Sequence, residues 1–522
     1  MSTPVLPRAG RAPKKAPWKV VWDVPALGSV ALRHLVRDTD HVRGVPLPGR
    51  SGPEYAAALA ALQAGDLGRA RDLARRGGPV GRVLARLVEG DLALLTAPLP
   101  EPPLRSAPVP AGLDRVLHLV TNALPETVAG YTLRTQGIAG AQRRAGHHVD
   151  VVTRLGFPVL KGHLAASPTV AVQGVPHHRL LPGRLPLRAD DCLAADVARS
   201  ARLVERLQPT VLHAHSNHAN GRVGLALRRR YGVPLVYEVR GLLEETWLSR
   251  TARPGGPDPD ALASDFYRLT RAAETGVMRA ADAVVTLSAA MRAEVVSRGV
   301  PAERVHVVPN GVDPSWLAAA PTAYPADGPL TVGLGGTLND YEGVDVLVQA
   351  VALLRGAGHD VRLLVVGDGP AREALEKRAA DLGVADVATF TGRLPHEALV
   401  AAYRDLDVFC LPRLDLPVTR LVPPLKPVEA MALGIPVVAS DLPPLRELVG
   451  SDRGRLVPPG DPAALATAIA ALTPAATRRA LGTAARSWVA ATRSWDVAAT
   501  TYQDVYADAH TDPRTTTRGE TP

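Results

Sequence analysis

Pro423-Pro424-Leu425-Lys426-Pro427-Val428-Glu429-Ala430-Met431-Ala432-Leu433-Gly434-Ile435-Pro436-Val437-Val438-Ala439-Ser440-Asp441 is the stretch on which the fold assignment turns. Pro427 suits the first turn of a helix, where its missing N–H costs nothing, and Gly434 suits the position just past a helix end. Ile435 to Ala439 is an apolar run of strand length. The stretch thus predicts a two-turn helix set just before a buried strand. The helix start gathers unpaired N–H groups beside Lys426, a place for phosphate oxygens, and Glu429 in the first turn is an acceptor for sugar hydroxyls. Together they suit a nucleotide sugar.

The same alternation runs outward from this point. Downstream of a linker, apolar strands are predicted at 116–120, 149–153, 211–215, 235–239, 283–287 and 305–308, with helical periods between them. A second series follows at 330–335, 361–366, 387–391, 408–411 and 437–439. The expected class is therefore α/β, with two tandem Rossmann-like domains, at 111–312 and 313–475, facing a cleft between their strand C-termini. Helices at 476–510 are expected to pack across both domains, and 511–522 reads as a disordered tail. Ahead of the first domain, Ala97 to Pro110 holds six prolines in fourteen residues and reads as a linker. Residues 54–96 are Ala-rich with leucines at helical spacing, a small helical segment, and 1–53 form a basic, partly disordered leader.

Composition narrows the class. The net charge is +9, of which residues 1–50 supply +6 through nine Arg or Lys against three Asp or Glu. The basic excess therefore belongs mostly to the leader, which could touch anionic lipid but reads first as a solvated arm; nucleic acid is not an expected partner. No run approaches a membrane span and no apolar signal core follows the first basic residues, so a cytoplasmic location is expected, with peripheral contact at the membrane inner face through the leader. Two cysteines, Cys192 and Cys410, offer no disulfide framework. The chain has six lysines, three of them after residue 20, so Lys426 is not surface filler.

From about residue 112 to 508 the chain resembles a family 4 retaining glycosyltransferase of GT-B fold, similar to the subgroup acting in bacterial surface polysaccharide synthesis. The likeness rests on Ala129-Gly130-Tyr131, His213-Ala214-His215-Ser216-Asn217, Tyr237-Glu238-Val239-Arg240-Gly241, Val308-Pro309-Asn310-Gly311-Val312-Asp313, Val366-Gly367-Asp368-Gly369-Pro370 and the opening stretch. It implies transfer of a hexose from a UDP- or GDP-linked donor to an acceptor hydroxyl with retention, in cell-surface glycan or glycolipid synthesis. The acceptor would be a glycan, a lipid-linked molecule or a small molecule, and no cofactor is needed beyond the nucleotide sugar itself.

Residue by residue, Gly130 would let backbone N–H groups approach a diphosphate, and the absence of G-x-G-x-x-G after this strand argues against a nicotinamide or flavin enzyme. His213 and His215 are read as pointing to opposite faces of their strand, with His215 toward the acceptor. No third ligand is apparent beside them, so no metal site is expected. Glu238 and Arg240 share a face; many family members carry a catalytic-site histidine where Arg240 stands, and a permanent cation there would support charge rather than move a proton. Asn310, by its motif, joins the donor side. The arginine and lysine that the family places on the donor diphosphate align with Thr337 and Glu342, so Arg413, Arg420 and Lys426 become the substitutes. Glu429 matches the second glutamate of the family pair, but the first falls on Leu421, leaving open whether Asp415 takes part. Two other readings stand beside this one: a sugar-nucleotide epimerase of the same fold, and a non-catalytic nucleotide-sugar-binding scaffold.

Overall fold

The structure is a computed structural model and describes residues 52–99, 114–163, 165–251, 258–324 and 328–511. The leader 1–51, most of the proline-rich linker and the tail beyond 511 lie outside the described residues.

Three helices, Pro53–Gln63, Leu67–Arg76 and Gly78–Thr96, form the N-terminal extension. Asp66 caps the second by accepting from Arg69 N–H at 3.0 Å. Their apolar stripes meet in a small core of Tyr55, Ala58, Leu67, Ala74, Leu84, Leu87 and Val88. Gly81 allows the third helix to approach the second closely, since a Cβ there would lie 2.4 Å from the Ala74 carbonyl. The extension is docked on the next domain by Arg222 Nη1 to the Ala97 carbonyl (3.0 Å) and by Phe266 N–H to the Gly65 carbonyl (2.9 Å).

The N-terminal α/β domain holds strands β1 (Arg115–Val120), β2 (His148–Thr153), β3 (Thr169–Val172), β4 (Val175–Arg179), β5 (Val211–His215), β6 (Leu235–Glu238), β7 (Ala283–Thr286) and β8 (Val305–Val307). Their order is β3-β4-β2-β1-β5-β6-β7-β8, all parallel except the β3–β4 hairpin at one edge. That hairpin is absent from the sequence expectation. Its two-residue turn, Gln173-Gly174, has positive φ at both positions, as the tight hairpin turn matching strand twist requires. The C-terminal domain holds β9 (Leu330–Gly335), β10 (Val361–Val366), β11 (Ala388–Phe390), β12 (Val408–Leu411), β13 (Val437–Ser440) and β14 (Gly454–Val457), ordered β11-β10-β9-β12-β13-β14 and all parallel. Both sheets change direction of winding beside their first strand, between β1 and β5 and between β9 and β12, the crevices where ligands of such sheets bind.

The opening stretch forms the helix Lys426–Ala432 with Pro427 in its first turn; Gly434 follows at φ +75° and β13 after it. Helix Ala475–Thr492 packs on that helix, and the chain then crosses back through a bridge between Val312 and Ser494. The last helix, Trp495–Thr511, lies on the N-terminal sheet, burying Trp495, Tyr502, Val505 and Tyr506 among Val116, Ile138, Val211 and Val236. Gly137 and Gly311 leave room for the Trp495 indole, which would meet a Cβ at 2.3 and 2.9 Å. Within the described residues no helix is long and apolar enough to cross a membrane.

Candidate active site

On the N-terminal side everything converges on Glu238, at the end of β6 and wholly buried. Arg134, from helix Gly130–Arg144, donates through Nε to Glu238 Oε1 at 2.9 Å, and Arg240 donates through Nε to the same oxygen at 2.5 Å. The Tyr502 hydroxyl, from the last helix, donates to Oε2. Burial works against ionisation of this carboxyl, but the Arg134 and Arg240 guanidiniums outweigh it and hold its pKa well below the usual range. Arg240 also donates through Nη1 to the Tyr131 carbonyl (2.6 Å) and to Thr135 Oγ1 (2.7 Å), while its Nη2 is buried without a hydrogen-bond acceptor among the described residues.

His213 and His215 correct the sequence reading. Residues two apart on a strand share a face, and the two imidazoles stack with centroids 4.4 Å apart. A third imidazole, His118, joins them because β1 and β5 are neighbours in parallel register, with His118 opposite His213. The cluster closes into a ring. Glu238 Oε2 lies 3.2 Å from His213 Nε2; His213 Nδ1 is 2.9 Å from the Tyr506 hydroxyl; Gln142 Nε2 donates to that hydroxyl at 2.7 Å. Gln142 Oε1 is 2.8 Å from His118 Nε2, His118 Nδ1 is 2.8 Å from His215 Nε2, and His215 Nδ1 returns to Glu238 Oε1 at 3.4 Å. Burial pushes the pKa of all three imidazoles down, so they are neutral and each carries one proton. Four of the six links are hydrogen bonds; the two to Glu238, from His213 Nε2 and His215 Nδ1, are close contacts without hydrogen-bond geometry. The three imidazoles bring ligand nitrogens within 4.8 Å of one another, a metal-type cluster the sequence reading did not find. Two guanidiniums already share its one carboxylate, and that positive charge opposes a further cation.

On the C-terminal side Glu342 is the centre. Its carboxylate accepts from Arg413 Nη2 at 2.9 Å and Nε at 3.2 Å, and Lys426 Nζ lies 3.3 Å from Oε1. Burial pushes the Glu342 carboxyl up, but Arg413 and Lys426 more than reverse this and bring it to about 2. Lys426 reaches this point by crossing Gly336, whose Cβ would lie 2.1 Å from Lys426 Cε; at φ +129° glycine is needed there for the backbone as well. The amine thus stands over the loop after β9, at the position where the aligned family lysine is missing. Its Nζ is buried and makes no hydrogen bond among the described residues. Glu429 is partly buried nearby, and burial raises its carboxyl to about 7 against the opposing pull of Lys426.

The remaining predicted residues are placed as follows. Arg420 forms an exposed pair with Asp415 (2.5 Å) and shares no hydrogen bond with the Glu342 group. Asn310 is a strut between domains, accepting from Arg134 Nη1 (3.3 Å) and donating to the Pro423 carbonyl (3.1 Å). Gly130 begins its helix, and no other group comes within 4 Å of where its Cβ would stand, so nothing inside the protein demands glycine there. Leu421, in place of the family glutamate, packs with Val422 against the N-terminal core, and its carbonyl accepts from Ser288 Oγ at 3.3 Å.

Sequence reasoning missed Arg134, His118, Gln142, Tyr502 and Tyr506. An arginine or glutamine inside a helix reads as a solvated face, whereas Arg134 is 1% exposed. Two signals could have found three of the others: His118 falls opposite His213 once β1 and β5 are paired, and Tyr502 and Tyr506 are four apart on one face of the last helix.

Residues 130–316 match the model of glycosyltransferase family 4, and residues 329–473 match that of the glycosyl transferases group 1. The D-inositol 3-phosphate glycosyltransferase of Xylanimonas cellulosilytica is 30% identical over 439 residues, covering 80% of this chain and 96% of that protein. The 2-deoxystreptamine glucosyltransferase of Streptomyces kanamyceticus (34%) and the phosphatidyl-myo-inositol mannosyltransferase of Mycobacterium leprae (36%) match over 39% and 38% of this chain, which is 54% and 52% of their own length. Among solved structures, the sucrose-phosphate synthase of Thermosynechococcus elongatus superposes with a TM-score of 0.59 at 23% identity, covering 75% of this chain and 98% of that one. Anabaena HepE, solved with UDP, gives 0.57 at 18% identity over 75% of this chain and 99% of that one. With its two Rossmann-like domains, this chain belongs to glycosyltransferase family 4 and has the GT-B fold.

Proposed function

We propose that this chain transfers a hexose from a UDP- or GDP-linked donor to an acceptor hydroxyl, with retention at the anomeric carbon. The observation that carries the reading is Lys426 Nζ, a buried ammonium with unspent N–H groups standing over Gly336 at the C-terminal end of β9. An ammonium so placed, with Arg413 behind it, stabilises the charge that grows on a leaving diphosphate. Glu429 is the acceptor for sugar hydroxyls of the donor, Gly130 admits the diphosphate from the opposite side, and Arg240, whose Nη2 has no acceptor among the described residues, is the cation for charge developing in the cleft. Glu238, buried under two guanidiniums, is unsuited to take a proton from an acceptor. His215 and Glu238 act through Arg240 by fixing its position.

The named relatives act on inositol 3-phosphate, phosphatidyl-myo-inositol and 2-deoxystreptamine, and HepE was solved with UDP. In line with this range, the acceptor is a hydroxyl of a glycan, a lipid-linked molecule or a small polyol, in cell-surface glycan or glycolipid synthesis. The enzyme would work on the cytoplasmic side, with the leader touching anionic membrane, and without a cofactor beyond the nucleotide sugar. A thermal-shift panel of UDP, GDP, UDP-glucose and GDP-mannose tests the reading. One nucleotide class should raise the melting temperature of the wild type and fail to do so in Lys426→Met; no response to any of the four would overturn it.

A further inference from the structure

The cation pair of the donor side is not free. Glu342 lies between Arg413 and Lys426, 2.9 Å from one and 3.3 Å from the other, with its side chain 4% exposed. A diphosphate approaching Lys426 therefore meets two positive charges and one negative charge fixed among them. Among the described residues the hydrogen-bond donor to this carboxylate is Arg413, and Lys426 lies beside it. Arg413 by contrast has other anchors, donating from Nη1 to the Val422 carbonyl at 3.0 Å and lying over the Tyr341 ring. A neutral side chain of similar shape would leave the loop Asp340–Glu342 intact but expose both cations to a ligand in full.

We infer that Glu342 is a built-in stand-in for the diphosphate: it keeps Arg413 and Lys426 paired in the empty cleft and sets nucleotide affinity low enough for the spent nucleoside diphosphate to leave. This rests on the nucleotide-sugar reading above. The donor diphosphate and the released nucleoside diphosphate differ by the negative charge that the departing sugar leaves behind, so a fixed carboxylate among the cations weighs most heavily on the product. Glu342 is a positioning residue, acting through Lys426 and Arg413, and does not touch the reacting atoms.

The test is calorimetric titration of the full chain with UDP and with GDP, on the wild type, Glu342→Gln and Glu342→Gln/Arg413→Gln, together with steady-state kinetics on the sugar donor that binds. The single variant should bind the nucleoside diphosphate about tenfold tighter, with KM and kcat falling together and stronger inhibition by product. The double variant restores the wild-type charge sum and should return to within about twofold of wild-type affinity. It also serves if the single variant fails to fold, because there a loss beyond tenfold would show that the charge sum does not govern binding. Unchanged or weaker binding by Glu342→Gln, with wild-type binding intact, overturns this inference and leaves the nucleotide-sugar reading standing. Absence of binding in the wild type and in both variants overturns both.

Discussion

Lys426 and Glu342 stand on opposite sides of one exchange. Where the aligned family pattern has a lysine, this chain has a carboxylate, and the ammonium arrives instead from the helix of the opening stretch, 3.3 Å away. Lys426→Met should therefore lower kcat/KM by about 10²- to 10³-fold, the scale of removing one group that stabilises developing charge. Far-UV circular dichroism should be unchanged, and steady-state kinetics with the donor identified by the binding panel checks the loss. A second residue matters for stability. Glu274 accepts from the His218 N–H at 2.6 Å and from the Tyr237 hydroxyl, and burial raises its carboxyl from 4.5 to about 8. Because the folded pKa lies above the unfolded one, the stability it contributes is complete below about pH 4.5 and is lost as pH rises through about 8. Glu274→Gln should flatten that part of the profile, a change on the order of a few kcal/mol in denaturant midpoints measured across the window. An unaltered slope would count against this assignment.

Among the elements, the last helix does the most to define the N-terminal half of the site. Tyr502 donates to Glu238 and accepts from Arg134 Nη2 at 3.0 Å, while Tyr506 links His213 to Gln142. Tyr502→Phe and Tyr506→Phe should each cost about 1–3 kcal/mol, because a buried acceptor or donor loses its partner. Urea titration gives the value, and Tyr502→Phe should also loosen Arg240 and lower kcat. The extension is a second element with a small core of its own, and Leu84 at its centre is fully buried. Leu84→Ala should cost that segment about 2–5 kcal/mol, read by limited proteolysis as earlier cleavage within residues 53–96.

At the scale of the whole molecule, the domains touch through Asn310 and Pro423, through Ser288 and Leu421, and through Glu447, whose carboxylate accepts from the Ala289 and Ala290 N–H groups at 3.2 Å. Leu421 carries apolar contact at that seam. Leu421→Glu, which restores the family carboxylate, should place a charge against the N-terminal core and lower stability by about 1–3 kcal/mol. Small-angle scattering should report a larger radius of gyration. An unchanged radius would show that the seam does not hold the domains at their present angle. At the acid end Glu342 and Glu238 act together. Both carboxyls are depressed in the fold, so their stabilisation is present above about pH 4.5 and is lost as pH falls, toward about 2 for Glu342.

The strands of both sheets, apart from the β3–β4 hairpin and β14, follow from short apolar runs between helical periods, and Pro427 and Gly434 mark the ends of the helix between them. Such signals are local, and the chain carries them wherever it folds. The hairpin escaped because β4 ends in His177-His178-Arg179, polar residues that are buried only through their neighbours. The site was legible as a set of residue types and not as an arrangement. Lys426, Arg413, Glu238 and Arg240 could be named from the sequence. The Glu238–Arg240 pair, two residues apart on one strand face, was legible too, but the pairs across distant segments were not, because Glu342 sits 71 residues from Arg413, and Tyr502 sits 264 from Glu238. The sequence by itself determined two doubly wound domains and a lysine at the start of the helix before β13. Only the tertiary structure decided that the cation is shared with a carboxylate and that Glu238 is sealed beneath arginines and a helix from the far end of the chain. Contacts between distant segments depend on strand order and on which side chains burial forces together, and neither is written in any local pattern.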